Sequence, residues 1–258
     1  MPIKTSGDNP PLFCVHGEPL KFAMRLKVDR PIYGLCYAYF GYRRADMPKS
    51  IEEFANLYIE EMRSIQPHGP YYLCGFSAGG LIAYEMAKSL RAAGEEIGDL
   101  TLVEPTMHFF GQGAAAGGMQ WHTGQRRAWS LSRYLRAIPQ AIVKRSVKMF
   151  RQLNTKLALK LNLNLPEVLR MPGFLMMLKP MMSHYVYEPV DITANLIYVN
   201  MTEEQLDGWR DLWSQLLQSP KLYSLNGIRR HLDLMEEPAI NETIALLDNA
   251  LLNKTNSG

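Results

Sequence analysis

The stretch from Tyr71 to Leu90, YYLCGFSAGGLIAYEMAKSL, decides how this chain is read. Tyr71 to Phe76 form an apolar run rich in β-formers. From Ala78 to Ala93 the apolar residues take helical spacing, and Gly94 supplies a stop. Between the two lies Ser77, in the pattern G-x-S-x-G with Gly75 and Gly79. A strand that passes straight into a helix strains the backbone of the residue at the turn, and flanking glycines allow close approach. The hydroxyl is then lifted above the carboxyl edge of a sheet, at a helix N-terminus that favours developing negative charge. A plain turn serine is the bland alternative. The strand before it and the helix after it make Ser77 a candidate nucleophile.

Outward from this stretch, short apolar runs recur at 11–16, 31–37, 100–104, 195–200 and 221–227. They lack clean alternation, which suggests strands covered on both faces, as in a parallel sheet. Helical patterns lie between them. Ser50 and Glu53 read as the N-cap and N3 of a capping box, and Pro67 ends that helix. A last helix is expected over about Ala239–Leu252. The alternation predicts a doubly wound α/β sheet.

One segment departs from this pattern. From about 109 to 183 no strand is evident, and the helical stretches are expected to break at Pro139, Pro166 and Pro172. Over 140–157, Ile142, Val143, Val147, Phe150, Leu153 and Leu157 share one helix side, with Lys144, Arg145, Lys148 and Arg151 on the other. Net charge is only +3, yet Met107 to Pro166 holds ten Lys/Arg and no Asp or Glu. A helical insertion within a single domain spanning 1–258 is the expectation.

At 258 residues and 47% apolar composition, the chain can bury a sizeable core without disulfides or metals. Cys14, Cys36 and Cys74 are odd in number, and no Cys/His cluster has metal-ligand spacing. Buried free thiols suit a reducing compartment. The polar, Pro-rich start lacks the apolar core of a signal peptide, and no stretch approaches the ~20 apolar residues of a membrane helix. A soluble, cytoplasmic protein is expected, with no nucleic-acid partner and no metal. Met1 and the lack of a carrier module favour a free-standing enzyme over an excised domain.

A serine nucleophile needs a base, and the base needs an orienting acid; where the nucleophile sits at such a strand–turn–helix joint of an α/β sheet, the chain order is Ser, acid, His. Of six histidines, only His231 follows the last strand and precedes the last helix. Glu104 ends the strand after the nucleophile's helix, on the same rim as Ser77. Asp191, Glu203, Glu204 and Asp207 compete for the acid's role. Backbone N–H groups of Ala78 and of Glu18, in the loop after the first strand, are the candidate oxyanion donors, with Gly17 the alternative to Glu18. Pro19 has no N–H to offer.

At these residues the chain resembles the thioesterase domains of polyketide and nonribosomal peptide synthetases, of the α/β-hydrolase superfamily. PLFCVHG, DRPIYGL, the long block SIEEFANLYIEEMRSIQPHGPYYLCGFSAGG, LVEP, HYVYEPV and HLDLMEEP carry the likeness over most of the chain. The resemblance implies an α/β-hydrolase fold with a mostly parallel central sheet, helices on both faces and a helical lid at about 109–183. It implies a triad of Ser77, the acid after the following strand, and His231. The substrate would be an acyl chain on the phosphopantetheine of an acyl or peptidyl carrier protein, with no cofactor of the enzyme's own. Three departures stand out: Glu104 replaces the usual Asp, Glu-Pro follows HG, and RRH replaces GDH.

Carrier proteins are generally acidic, so Lys144, Arg145, Lys148 and Arg151 are expected to contact the carrier or its phosphate. A solvated lid face is the bland reading, and membrane association is less favoured. A general acyl-CoA thioesterase or carboxylesterase is the alternative enzyme. A silent hydrolase fold acting as a binding module is the alternative of another class.

Overall fold

The computed structural model describes residues 1–16, 24–36, 47–105, 149–161, 163–228, 234, 237 and 239–252. In chain order these form β1 (Pro2–Lys4), β2 (Leu12–Val15), β3 (Ile32–Leu35), α1 (Ile51–Arg63), β4 (Tyr71–Phe76), α2 (Ala78–Ala92) and β5 (Ile97–Val103). Then come α3 (Glu167–His184), β6 (Val190–Val199), α4 (Glu203–Trp213), β7 (Leu217–Leu225) and α5 (Ala239–Leu252). The chain divides into two compact units. One comprises 1–36, 49–110 and 182–258, the other 37–48 and 111–181.

The first unit is built on a seven-stranded sheet of order β1-β3-β2-β4-β5-β6-β7. Only β1 is antiparallel, paired with β3; β2 to β7 all run parallel to their neighbours. Parallel strands need covered faces, and the burial agrees: every residue of β2 and β4 is buried. Leu12, Cys14, Tyr72, Cys74, Phe76 and Val103 pack with Ile240, Ile244 and Leu247 of α5. Gly75, between Cys74 and Phe76, turns the other way and lies against Gly79 of α2. Helix α2 packs on β2, β4 and β5, and α1 packs on α2.

Several local expectations were sharpened. Ser50 caps α1, its hydroxyl accepting from the Glu53 N–H at 3.2 Å. The Glu53 carboxylate reaches back to the N–H of Lys49 rather than Ser50, so the box closes one residue further out. Strand β7 begins four residues before the run KLYSLNG and passes through Pro220. Leu225 accepts from the Asn200 N–H at 2.8 Å. Alternation then puts Pro220, which has no N–H, with its backbone toward the open edge. Helix α4 and strand β1 were not anticipated.

In the second unit, residues 149–160 are helical and α3 follows. Pro172 was expected to break the helix, but α3 runs through it; it falls in the second turn, where one lost hydrogen bond does not end a helix held by packing. Thr155 and Leu159 are buried, and Gly173 leaves room for Leu165 and for the Thr155 methyl, 3.4 Å from where its Cβ would stand. Phe150, Leu153 and Leu157 share one side of this helix, and that side is exposed: Phe150 is 68% exposed. Arg151 is exposed too. Lys144, Arg145 and Lys148 lie outside the described residues.

Candidate active site

Ser77 stands at the joint between β4 and α2 with φ 54° and ψ −121°. That is left-handed space for a residue with a Cβ, a costly conformation held only where the surroundings dictate it. The surroundings are visible. The Ser77 N–H donates to Val103 O at 2.9 Å, and its carbonyl accepts from the Gly80 N–H at 2.9 Å. A Cβ on Gly79 would overlap Val15 O and come within 2.7 Å of His16 Cβ; one on Gly75 would come within 2.7 Å of Gly80 Cα. The two glycines are therefore required by contact. From Tyr71 to Ala87, Ser77 alone is not buried. Ala78 opens α2, so its N–H lies in the first turn, where helical donors have no partner within the helix.

Glu104 follows β5 directly, also with positive φ (48°). Phe76 pairs with Val103, so Ser77 and Glu104 leave neighbouring strands at the same level. Adjacent strands lie ~4.8 Å apart, which brings both residues to one stretch of rim. The Glu104 carboxylate is buried; Oε1 accepts from the Val199 N–H at 2.7 Å, and the Glu104 N–H donates to Ile197 O at 2.7 Å. The competing acids are elsewhere. Asp207 sits exposed on α4, ion-paired with Arg210. Glu203 and Glu204 are exposed in the first turn of α4. Asp191 is at the opposite end of β6, facing Arg91. Asp99, a buried carboxylate that the sequence did not single out, lies early in β5 and accepts from Thr101 and Asn195.

The rim repeats one backbone feature. His16 after β2, Ser77 after β4, Glu104 after β5 and Asn200 after β6 all have positive φ, on four strands in sheet order. His16 is buried, its Nε2 bonded to the Tyr58 hydroxyl and its ring edge-on to Phe54 and Tyr58. Burial lowers its pKa to about 3, so it is neutral and serves as a packing element. Cys14 and Cys74 pair across β2 and β4. Hydrogen bonding to Cys14 and burial hold the Cys74 thiol well above its usual range, so it is no rival nucleophile. His231 and Glu18 lie outside the described residues.

The thioesterase-domain family model matches residues 20–117. The resemblance is to a thioesterase domain. The dimodular nonribosomal peptide synthase of Bacillus subtilis (strain 168) is 40% identical over 116 residues, covering 43% of this chain and 5% of that protein. Malpinin synthetase of Mortierella alpina is 42% identical over 110 residues, covering 40% of this chain and 1% of that protein. The chain thus spans a twentieth or less of these relatives. The solved NocB thioesterase domain, in covalent complex with a fluorophosphonate nocardicin G analog, superposes with a TM-score of 0.63 at 22% identity, covering 96% of both chains. The fold is that of the α/β-hydrolases, with a mostly parallel sheet. Among the described residues, no helix is long and apolar enough to cross a membrane.

Proposed function

We propose that this chain is a serine thioesterase that releases an acyl or peptidyl group from the phosphopantetheine of a carrier protein. Ser77 is the nucleophile, His231 the base and Glu104 the orienting acid. The observation that carries the reading is Ser77 itself: a strained serine, alone unburied in a packed strand–helix joint, beside a buried carboxylate on the next strand.

In this mechanism Ser77 Oγ attacks the thioester carbonyl while His231 takes its proton. The negative oxygen forms beside the N–H groups of Ala78 and Glu18, each such donor being worth roughly 10²–10³ in rate. The intermediate collapses, the C–S bond breaks, and the departing sulfur takes the proton from His231. Water, or a hydroxyl or amine of the substrate, then gives a proton to His231 as it attacks the acyl-serine. Ser77 Oγ leaves and is reprotonated. Glu104 stabilises the imidazolium throughout, and neither a metal nor a redox cofactor takes part.

The acid-free, basic segment 107–166 suits an acidic carrier and its phosphate. We place the lid there, at about 109–183, and the protein in a reducing, cytoplasmic setting that fits its three buried thiols.

A fluorophosphonate probe tests the core of the proposal: wild type labels at Ser77, and Ser77→Ala does not. Equal labelling of both, or none of wild type, removes the enzyme reading and leaves a binding module. Rates on carrier-bound, CoA-bound and simple ester forms of one acyl chain then separate a carrier thioesterase from a general esterase. Salt should slow carrier-bound turnover steeply and a small neutral thioester little.

A further inference from the structure

Strand β6 ends in a pair of residues that grip two things at once. The Val199 N–H donates to Glu104 Oε1 at 2.7 Å. The next residue, Asn200, donates its backbone N–H to Leu225 O at 2.8 Å, and its side-chain Nδ2 to the carbonyl of Ile228. Asn200 has φ 51°, a conformation asparagine tolerates better than most residues. Met201 and Ser224 then close a reciprocal pair, at 2.9 and 3.1 Å, which locks the same turn onto β7. Ile228 stands three residues before His231 in the chain. Three residues reach at most ~11 Å.

From this juxtaposition we infer that Asn200 is a positioning residue. It ties the start of the segment carrying His231 to the residue beside the one that holds the Glu104 carboxylate. The inference rests on the proposed triad. Acid and base come from distant parts of the sequence, and Val199–Asn200 is bonded both to Glu104 and to Ile228, the last described residue before His231. The side-chain amide supplies what the backbone cannot. The Asn200 N–H is already spent on Leu225, and Ile228 lies past the end of β7, where the ladder has stopped. A misplacement of about 1 Å in a reacting constellation costs roughly 10²-fold in rate, so a single anchoring bond matters there.

The test uses the full chain and two variants that leave the backbone conformation accessible. Asn200→Gly keeps positive φ and removes the amide. Asn200→Asp keeps the shape but, ionised, has no donor for the Ile228 carbonyl. Turnover is followed with an acyl N-acetylcysteamine thioester, alongside fluorophosphonate labelling rate and Tm. The expected result for both variants is a kcat loss of about 10- to 100-fold with KM within twofold, and labelling slowed in parallel. A kcat within threefold of wild type in either variant overturns the inference. So does a loss in which KM and Tm move as much as kcat, because that reports damage to the fold. Ser77→Ala and His231→Ala run beside them. If those retain turnover, the triad itself has failed; if they are inactive while Asn200→Gly is normal, only the role of Asn200 has.

Discussion

The two ends of the sheet in this protein are finished in opposite ways. At the carboxyl end, four neighbouring strands stop in left-handed residues: His16, Ser77, Glu104 and Asn200. At the amino end of β6 and β7, aromatic rings close the structure. Tyr84 packs against Tyr187 and Trp213, and Tyr187 packs against Tyr185 and Trp213. The Tyr84 hydroxyl lies 2.9 Å from Glu188 O and 3.3 Å from Leu216 O, just before β6 and β7 begin. Tyr185 donates to the buried Glu85 at 2.6 Å, and Lys88 neutralises that carboxylate at 2.8 Å. Burial and the Glu85 charge hold the Tyr84 and Tyr185 hydroxyls far above their ordinary pKa. One helix, α2, serves both ends: Ser77 precedes its first turn and Tyr84, Glu85 and Lys88 follow within three turns. Strain is concentrated where chemistry is proposed, and packing is concentrated where the strain can be opposed.

The contrast makes separable predictions. Ser77→Ala should reduce thioester turnover by at least about 10³-fold while leaving Tm unchanged within a few degrees, checked by steady-state kinetics and thermal unfolding. Trp213→Ala, at the packed end, should cost about 3–5 kcal/mol of stability in denaturant titration, with kcat little changed at temperatures where the variant is folded. A large activity loss in Trp213→Ala, well below its unfolding midpoint, would break the division between the ends.

His16 gives a pH test. Its folded pKa, about 3, lies below the unfolded value of 6.5, so the neutral ring's contribution is fully present above pH 6.5. It is lost as pH falls from 6.5 toward 3, at up to about 1.4 kcal/mol per pH unit. His16→Asn, which tolerates positive φ, should flatten that part of the stability profile in calorimetry. Ser77→Gly should raise stability by about 1 kcal/mol, because glycine relieves the strained turn. Unchanged or lowered stability would mean that the turn carries no strain. The smallest effect is at Asp248 on α5, whose pKa is raised mainly by burial. Its ionised form is disfavoured in the fold, so stability is lost as pH rises past the unfolded pKa. Asp248→Asn keeps an acceptor for the Lys27 N–H and should raise Tm slightly at pH 7, with no gain near pH 3.

The sequence displayed some of this directly. Continuous apolar runs located β2 to β6, because strands covered on both faces leave little room for polar residues, while the edge strand β7, mostly unburied, showed only its second half. The joint at Ser77 was legible because glycines, serine and the switch of period coincide. Glu104 was placed on the rim by its position after LTLV, and register then set it beside Ser77. Strand β1 was hidden, since three residues carry no periodicity. Helix α4 did carry a signal: Thr202 and Gln205 form a full capping box around the acids Glu203 and Glu204. Asn200 gave no cue, because its bond to Ile228 joins segments 28 residues apart. The proximity of Cys14 and Cys74 was equally invisible, as it depends on strand order.

All three thiols, at Cys14, Cys36 and Cys74, are buried. The protein therefore needs no cysteine removal before it is coupled to a maleimide dye or spin label. Gly208, exposed on α4 with nothing within 4 Å of where a Cβ would stand, is a ready attachment point. A reporter there would sit on the sheet-bearing unit, on a helix that carries none of Ser77, Glu104 and His231, and would test for the proposed carrier through a change in tumbling.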